Sequence, residues 1–260
     1  MKILSLFLIV LLVVLLKAYR EYTEHFTFSL NLTEKEVDIY VFPSSMFTNN
    51  IYSFTSILAE KGNIINVDYP SKAFDLDDFA FKLYDKIIKK KKKCILVGYS
   101  FGSLMSNIVN SKFKDNTILK KILLISDSCD GHVTDKARNI YKRMGDGKED
   151  QTKLIYELLF TTDFDIPNKI IKQIKNNKLS TKIQQSIGTG IGKWIGKYQG
   201  KIPQEVCSNN NKVKSFIIHG NKDIVYPIKT GQNVTEVKDV GHGIIFQSDE
   251  IINKWMKEKL

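Results

Sequence analysis

A serine set between two glycines, then an aspartate, then a histidine carry the chemistry this sequence offers. Gly98-Tyr99-Ser100-Phe101-Gly102 follows the apolar run Cys94-Ile95-Leu96-Val97 and precedes a segment that puts Leu104, Met105, Ile108 and Val109 on one helical face. Ser100 therefore falls on a strand-to-helix turn. So tight a turn forces strained backbone angles on the serine and brings neighbouring chain close, which glycines two residues to either side allow because they lack Cβ. Downstream, Ser215-Phe216-Ile217-Ile218-His219-Gly220 reads as another buried strand, and Asp223 follows it by a short turn. Thr235-Glu236-Val237-Lys238-Asp239-Val240 reads as a last strand and ends in Gly241-His242-Gly243. A hydroxyl is a weak nucleophile until a base removes its proton. His242 suits that task, and Asp223 would hold the imidazole in one tautomer and stabilise the cation formed. Each residue also has a plainer reading: a turn serine, a surface histidine between glycines, and an aspartate closing a turn on its own backbone.

The elements that must position these side chains alternate along the chain. Phe26-Thr27-Phe28-Ser29-Leu30 reads as an edge strand and Val37-Asp38-Ile39-Tyr40-Val41-Phe42 as an inner one. Ile51, Phe54, Ile57 and Leu58 mark a helix stopped by Gly62, and Ile64-Ile65-Asn66-Val67 gives the next strand. A helix over 76–88 carries aspartates in its first turn, and a strand over 118–126 follows the helix after Ser100. Short apolar runs alternating with amphipathic helices predict an α/β fold, a mostly parallel central sheet flanked by helices. From about 131 to 211 the chain turns polar and rich in Lys and Asn, with helical patches at 154–160 and 170–174, and reads as a helical cap inserted after the strand ending near Ser126. A final helix over 250–259, announced by Ser248 and Asp249, is expected to bury Ile251, Ile252 and Trp255.

With these residues in hand, the chain resembles the α/β-hydrolase family over roughly 34–260. In that family nucleophile, acid and histidine come in the order Ser, Asp, His on loops at the C-terminal edge of the sheet. The resemblance implies a domain over 26–260 whose insertion covers the active site and shapes the pocket. It implies oxyanion donors at the backbone N–H groups of Phe101 and Ser44. One departure stands beside the second donor: where the family's strand usually ends in His-Gly, this chain reads Phe42-Pro43, and proline fixes φ and has no N–H. Asp68-Tyr69-Pro70-Ser71 resembles the family's Asp-x-Pro-Gly turn with Ser71 in place of glycine. Asp127 and Asp130 compete for the acid's role, since some members place it after this strand, and His132 is the rival base.

Ahead of the domain stands an N-terminal hydrophobic helix over 1–19, in which the fourteen residues 3–16 include only Ser5 as a polar one. That is short of the roughly 17–25 residues of an ordinary spanning helix, so the segment is a signal peptide or a short membrane anchor, with the anchor favoured because only Ala18 resembles a cleavage site. The expected location is membrane-associated or the secretory route, with the side of the membrane undecided. In an oxidising compartment Cys129 and Cys207, which flank the insertion, could pair, although an unpaired reading stands equally; Cys94 reads as an inert core thiol. The formal net charge of +11 favours anionic surfaces, and its densest cluster, 89–93, reads first as a solvated turn. No nucleic-acid module accompanies that charge, and no cofactor or metal is expected.

The sequence thus predicts a serine hydrolase acting on a small-molecule carboxylic ester with an acyl or lipid-like portion. Thioester, amide and carbon–carbon bond hydrolysis stay open, because the triad does not encode the leaving group. The alternative is a catalytically inert scaffold or binding protein on the same fold, which Phe42-Pro43 favours.

Overall fold

The computed structural model describes residues 26–28, 35–44, 52–69, 74–113, 117–127, 133–146, 148–160, 213–226 and 233–260. Within them the apolar runs form one seven-stranded sheet: β1 (Phe26–Phe28), β2 (Val37–Phe42), β3 (Asn63–Val67), β4 (Lys93–Tyr99), β5 (Leu119–Ile125), β6 (Lys214–Gly220) and β7 (Val234–Val237). The order across the sheet is β1-β3-β2-β4-β5-β6-β7, with β1 antiparallel to β3 and the other pairings parallel. After β2 the chain moves outward to β3, then crosses back to lay β4 on the other side of β2. The strands that follow β2 and β4 thus lie on opposite sides of that pair, a switch point of the kind beyond whose carboxyl edge open α/β sheets bind ligands.

Seven helices complete the described residues: α1 (Thr55–Lys61), α2 (Leu76–Lys89), α3 (Phe101–Asn110), α4 (Asp135–Asp146), α5 (Gln151–Leu159), α6 (Ile244–Gln247) and α7 (Asp249–Lys259). Strand alternation sorts the core into two layers. Ile95, Val97 and Tyr99 of β4 pack with Leu58 of α1 and with Ile252, Trp255 and Met256 of α7. Cys94 and Leu96 of the same strand pack with Leu83 and Ile87 of α2 and Leu104 and Met105 of α3. Because both faces are covered, β4 is apolar almost throughout rather than at alternate positions. Burial pushes the Cys94 thiol up to about 12, in keeping with an inert core residue.

Local chemistry sets the helix that leads into β4. The Asp75 carboxylate caps α2 by accepting from the N–H groups of Asp77 and Asp78, at 3.0 and 2.9 Å, while Lys86 and Lys89 occupy its last turn. The lysine run that follows is partly structural. Lys90 and Lys92 reach the buried Asp38 carboxylate at 3.2 and 3.7 Å, and the Asn63 side chain donates to it at 2.9 Å. A charge buried at the start of β2 is thereby paired and hydrogen-bonded.

Helix α4 at the root of the insertion has no counterpart in the sequence reading. Its signal is nonetheless in the chain: Ala137, Ile140, Tyr141 and Met144 recur at helical spacing, the first two buried and the other two packed against the same small core. The second helical patch expected near 170–174, the rest of the insertion with Cys207, Cys129 ahead of it, and the apolar segment 3–16 lie outside the described residues. Among the described residues, no helix is long and apolar enough to cross a membrane.

One core expectation is corrected in α7. Ile252 is fully buried and Ile251 is 46% exposed, since a step of one residue turns the side chain by about 100° and the Ile252, Trp255, Met256 stripe already faces the sheet. Ile252→Ala is expected to lower unfolding free energy by about 2–4 kcal/mol, whereas Ile251→Ala stays within about 0.5 kcal/mol. Urea unfolding of the two variants checks the contrast, and equal losses would place the helix in the wrong rotation.

Candidate active site

Ser100 joins β4 directly to α3 with φ 55° and ψ −118°, a conformation that side-chain-bearing residues rarely adopt. The turn is tight enough to bring chain into contact with chain. A Cβ on Gly98 would lie 2.4 Å from the Gly102 carbonyl oxygen, and one on Gly102 would lie 2.0 Å from the Phe42 carbonyl oxygen. Hydrogen bonds then pin the turn. The Ser100 N–H donates to the Ile125 carbonyl at 2.9 Å, and the Ser103 hydroxyl lies 2.9 Å from the carbonyls of both Gly98 and Ile125.

The structure brings Ser100, His242 and Asp223 together. Ser100 Oγ lies 2.7 Å from His242 Nε2, and His242 Nδ1 lies 2.7 Å from Asp223 Oδ2. An ionised carboxylate only accepts, so Nδ1 carries the proton; in the neutral imidazole Nε2 then accepts, and the Ser100 hydroxyl donates to it. Both remaining readings of Asp223 are satisfied by one carboxylate. Oδ1 closes the turn after β6 by accepting from the N–H groups of Val225 and Tyr226 at 2.7 and 3.0 Å, which leaves Oδ2 for the histidine.

Burial raises the Asp223 pKa, but the two histidines beside it, His242 first, pull the other way and hold the carboxyl well below its ordinary range. The second of these, His219 at the end of β6, is fully buried with Nε2 3.2 Å from Asp223 Oδ2, although neither ring nitrogen is aligned for a hydrogen bond. The His242 loop is fixed separately. Tyr99, the residue before the serine, donates its hydroxyl to the His242 carbonyl at 3.0 Å and stacks its ring on the imidazole at 5.9 Å, while Tyr226 meets the imidazole edge-on at 5.4 Å.

The root of the insertion clamps both loops. Val133, Ala137, Ile140, Leu154 and Leu158 form a small core with Val225 and Tyr226. Thr134 donates through its backbone to Val225 and through its hydroxyl to Ile224. At the other end of this helix pair, the Gly243 N–H donates to the Leu159 carbonyl at 2.6 Å. Residues that sequence reasoning assigned to substrate choice thus also hold the acid and the histidine.

Of the rival residues, only Asp127 is described. Asp127 is buried and accepts from the Asn107 side chain at 2.9 Å, while Asp130 and His132 lie outside the described residues. Of the two expected oxyanion donors, Phe101 opens α3, so its N–H has no carbonyl of a preceding helical turn to bond. Ser44 is placed differently. Its N–H donates to the Tyr52 hydroxyl at 3.0 Å, and the carbonyl of Pro43 before it accepts from the Tyr69 hydroxyl at 2.9 Å. Sequence reasoning placed His219 in a buried strand and Tyr69 in a structural turn, but gave neither of them, nor Tyr52 or Tyr99, a contact with the site, because apolar and turn contexts give an aromatic ring no reason to stand out.

No protein-family model matches the chain, and no curated protein matches it in sequence. Solved structures do. A proposed lipase from Acinetobacter baumannii AYE superposes with a TM-score of 0.68 at 14% identity, covering 88% of this chain and 84% of that one. A membrane phospholipase A described as a bacterial virulence factor gives 0.66 at 12% identity, covering 99% and 97%. An α/β-hydrolase-fold protein from Burkholderia ambifaria gives 0.63 at 10% identity, covering 90% and 93%. At such identities the likeness establishes the fold, which is that of the α/β hydrolases.

The depressed Asp223 pKa has a thermodynamic consequence of fixed sign. A carboxyl whose folded pKa lies below its unfolded value adds stability that is complete above about pH 5 and is lost as pH falls through the folded value. Asp223→Asn is therefore expected to be less stable than wild type by about 1–3 kcal/mol near neutrality, with the gap narrowing below about pH 4. Urea titrations from pH 2 to pH 8 measure it, and a gap that widens on acidification contradicts the assignment.

Proposed function

Starting from that fold, we propose that this chain is a serine hydrolase that cleaves carboxylic esters with Ser100 as nucleophile, His242 as general base and Asp223 as the acid that orients it. The observation that supports the reading most is the unbroken relay of two 2.7 Å contacts from Oγ through the imidazole to a buried carboxylate. Attack by Oγ on the ester carbon sends its proton to Nε2 and the carbonyl π electrons to oxygen. Collapse of that intermediate expels the alcohol, which takes the proton from Nε2, and leaves an acyl group on Ser100. Water, activated in turn by His242, then releases the acid. Phe101 N–H, at the amino end of α3, donates to the oxyanion where the helix dipole also favours negative charge.

The acyl portion we assign is lipid-like. The supports are the apolar segment 3–16, the net charge of +11, and the likeness to structures described as a lipase and a membrane phospholipase. Anchoring at a membrane through 1–19 belongs to the same proposal.

A covalent fluorophosphonate probe tests the chemistry. It is expected to label wild type and not Ser100→Ala, and Ser100→Ala or His242→Ala should lose ester turnover by about 10³-fold or more. Folded wild type that is never labelled contradicts the reading. For the substrate class, kcat/KM on p-nitrophenyl esters should rise from acetyl to octanoyl; a preference for acetyl removes the lipid assignment. One observation favours the inert scaffold instead: the Ser44 N–H, expected to serve the oxyanion, already has an acceptor in Tyr52.

A further inference from the structure

The engagement of Ser44 by Tyr52 has a second meaning, and it concerns which group meets the oxyanion. An N–H that gives its hydrogen to a phenol oxygen cannot give the same hydrogen at full strength to a substrate. The phenol, however, still holds a hydrogen of its own. We propose that the second oxyanion donor of this site is the Tyr52 hydroxyl, with the Ser44 N–H standing behind it as its polarising partner. The proposal rests on the hydrolase reading of Ser100.

Three contacts place the phenol at this edge of the site. Gly102, in the first turn after Ser100, lies against the backbone of Phe42 and Pro43, so Ser44 follows directly from a segment that touches the elbow. The Tyr52 hydroxyl is bonded to that Ser44 N–H at 3.0 Å. The Tyr52 ring meets the Tyr99 ring edge-on at 5.9 Å, and Tyr99 stacks on His242, so one aromatic layer separates Tyr52 from the base.

The chemistry of the group agrees. Tyr52 is 5% exposed and stacks on Phe54 at 5.2 Å, which fixes the ring before any substrate arrives. Burial pushes its phenol above the ordinary range, so it stays protonated and able to donate. The backbone and side chain of Ser44 pull the other way, as groups that favour negative charge on the phenol oxygen and so strengthen its O–H as a donor. During attack the oxyanion accepts from Tyr52 and Phe101 together. The Ser100 proton still passes to His242, and Tyr52 keeps its own. This arrangement also gives the Phe42-Pro43 replacement a physical sense: a loop held by Tyr69 at Pro43 and by Tyr52 at Ser44 presents a hydroxyl where a Gly-containing loop presents a free N–H.

Tyr52→Phe in the full chain separates the outcomes, because it keeps the ring packing and removes only the hydroxyl. With p-nitrophenyl butyrate, kcat should fall about 10²-fold with KM within about two-fold, and affinity for butylboronic acid, whose adduct on Ser100 mimics the oxyanion, should fall in parallel. A kcat that is unchanged or higher shows the phenol to be a plug over a working Ser44 N–H and overturns the proposal. Wild type that neither turns over the ester nor takes up a fluorophosphonate removes the hydrolase reading and this proposal with it, whereas active wild type with an unimpaired Tyr52→Phe removes this proposal alone. Should Tyr52→Phe fail to fold, site-specific 3-fluorotyrosine at position 52 supplies the second measurement. Its more acidic phenol should bind the boronate several-fold more tightly, and unchanged affinity counts against donation.

Discussion

Ser100 is held in a backbone conformation that costs about 1–3 kcal/mol, and the rest of the site is arranged around keeping it there. A serine in an ordinary extended or helical conformation would point its hydroxyl into the sheet or along the helix. At φ 55° the hydroxyl stands clear of both, where a histidine from a distant loop can reach it. The strain is offset by the fully paired centre of the sheet: β4 lies between β2 and β5, and the ladder to β5 continues through the Ser100 N–H itself. Close approach is the second half of the constraint. With the backbone of Phe42 against Gly102, the end of β2 that leads to Ser44 and the helix start that carries Phe101 are fixed relative to one another.

The acid and the histidine are fixed by other means. Asp223 is tied to its own turn through one oxygen and to His242 through the other, so the rigidity of the turn passes to the imidazole through a single carboxylate. That turn is in turn seated on α4 and α5, the described root of the insertion. Changes in this root of the insertion would therefore reach the geometry of Asp223 and His242. Such coupling is carried by packed side chains and two backbone hydrogen bonds, a short physical path.

Much of this was legible from residue types in order. The apolar runs before Ser100 and Asp223 mark buried parallel strands because both faces of the sheet are covered, and the glycines mark the turn because nothing larger fits. Asp223 and His242 could be read from their places just after strands, and the family resemblance supplied the logic of their order. Pairwise geometry was not legible. The bond between the Ser44 N–H and the Tyr52 hydroxyl joins positions that no periodicity relates, and the contact of His219 with Asp223 follows from the path of the turn after β6. Helix α4 is in principle legible from Ala137, Ile140, Tyr141 and Met144 at helical spacing, a stripe diluted by the charged residues between them, whereas Ile251 and Ile252 look alike until the helix rotation is known.

The central claim is that Ser100 and His242 act as one unit, and a double-mutant cycle measures it most directly. Initial rates on p-nitrophenyl butyrate would be compared for wild type, Ser100→Ala, His242→Ala and the double variant, all confirmed folded by circular dichroism. Where nucleophile and base share one proton, the double variant should be no slower than the slower single variant. Losses that multiply, with each substitution acting as though the other were intact, would contradict the account.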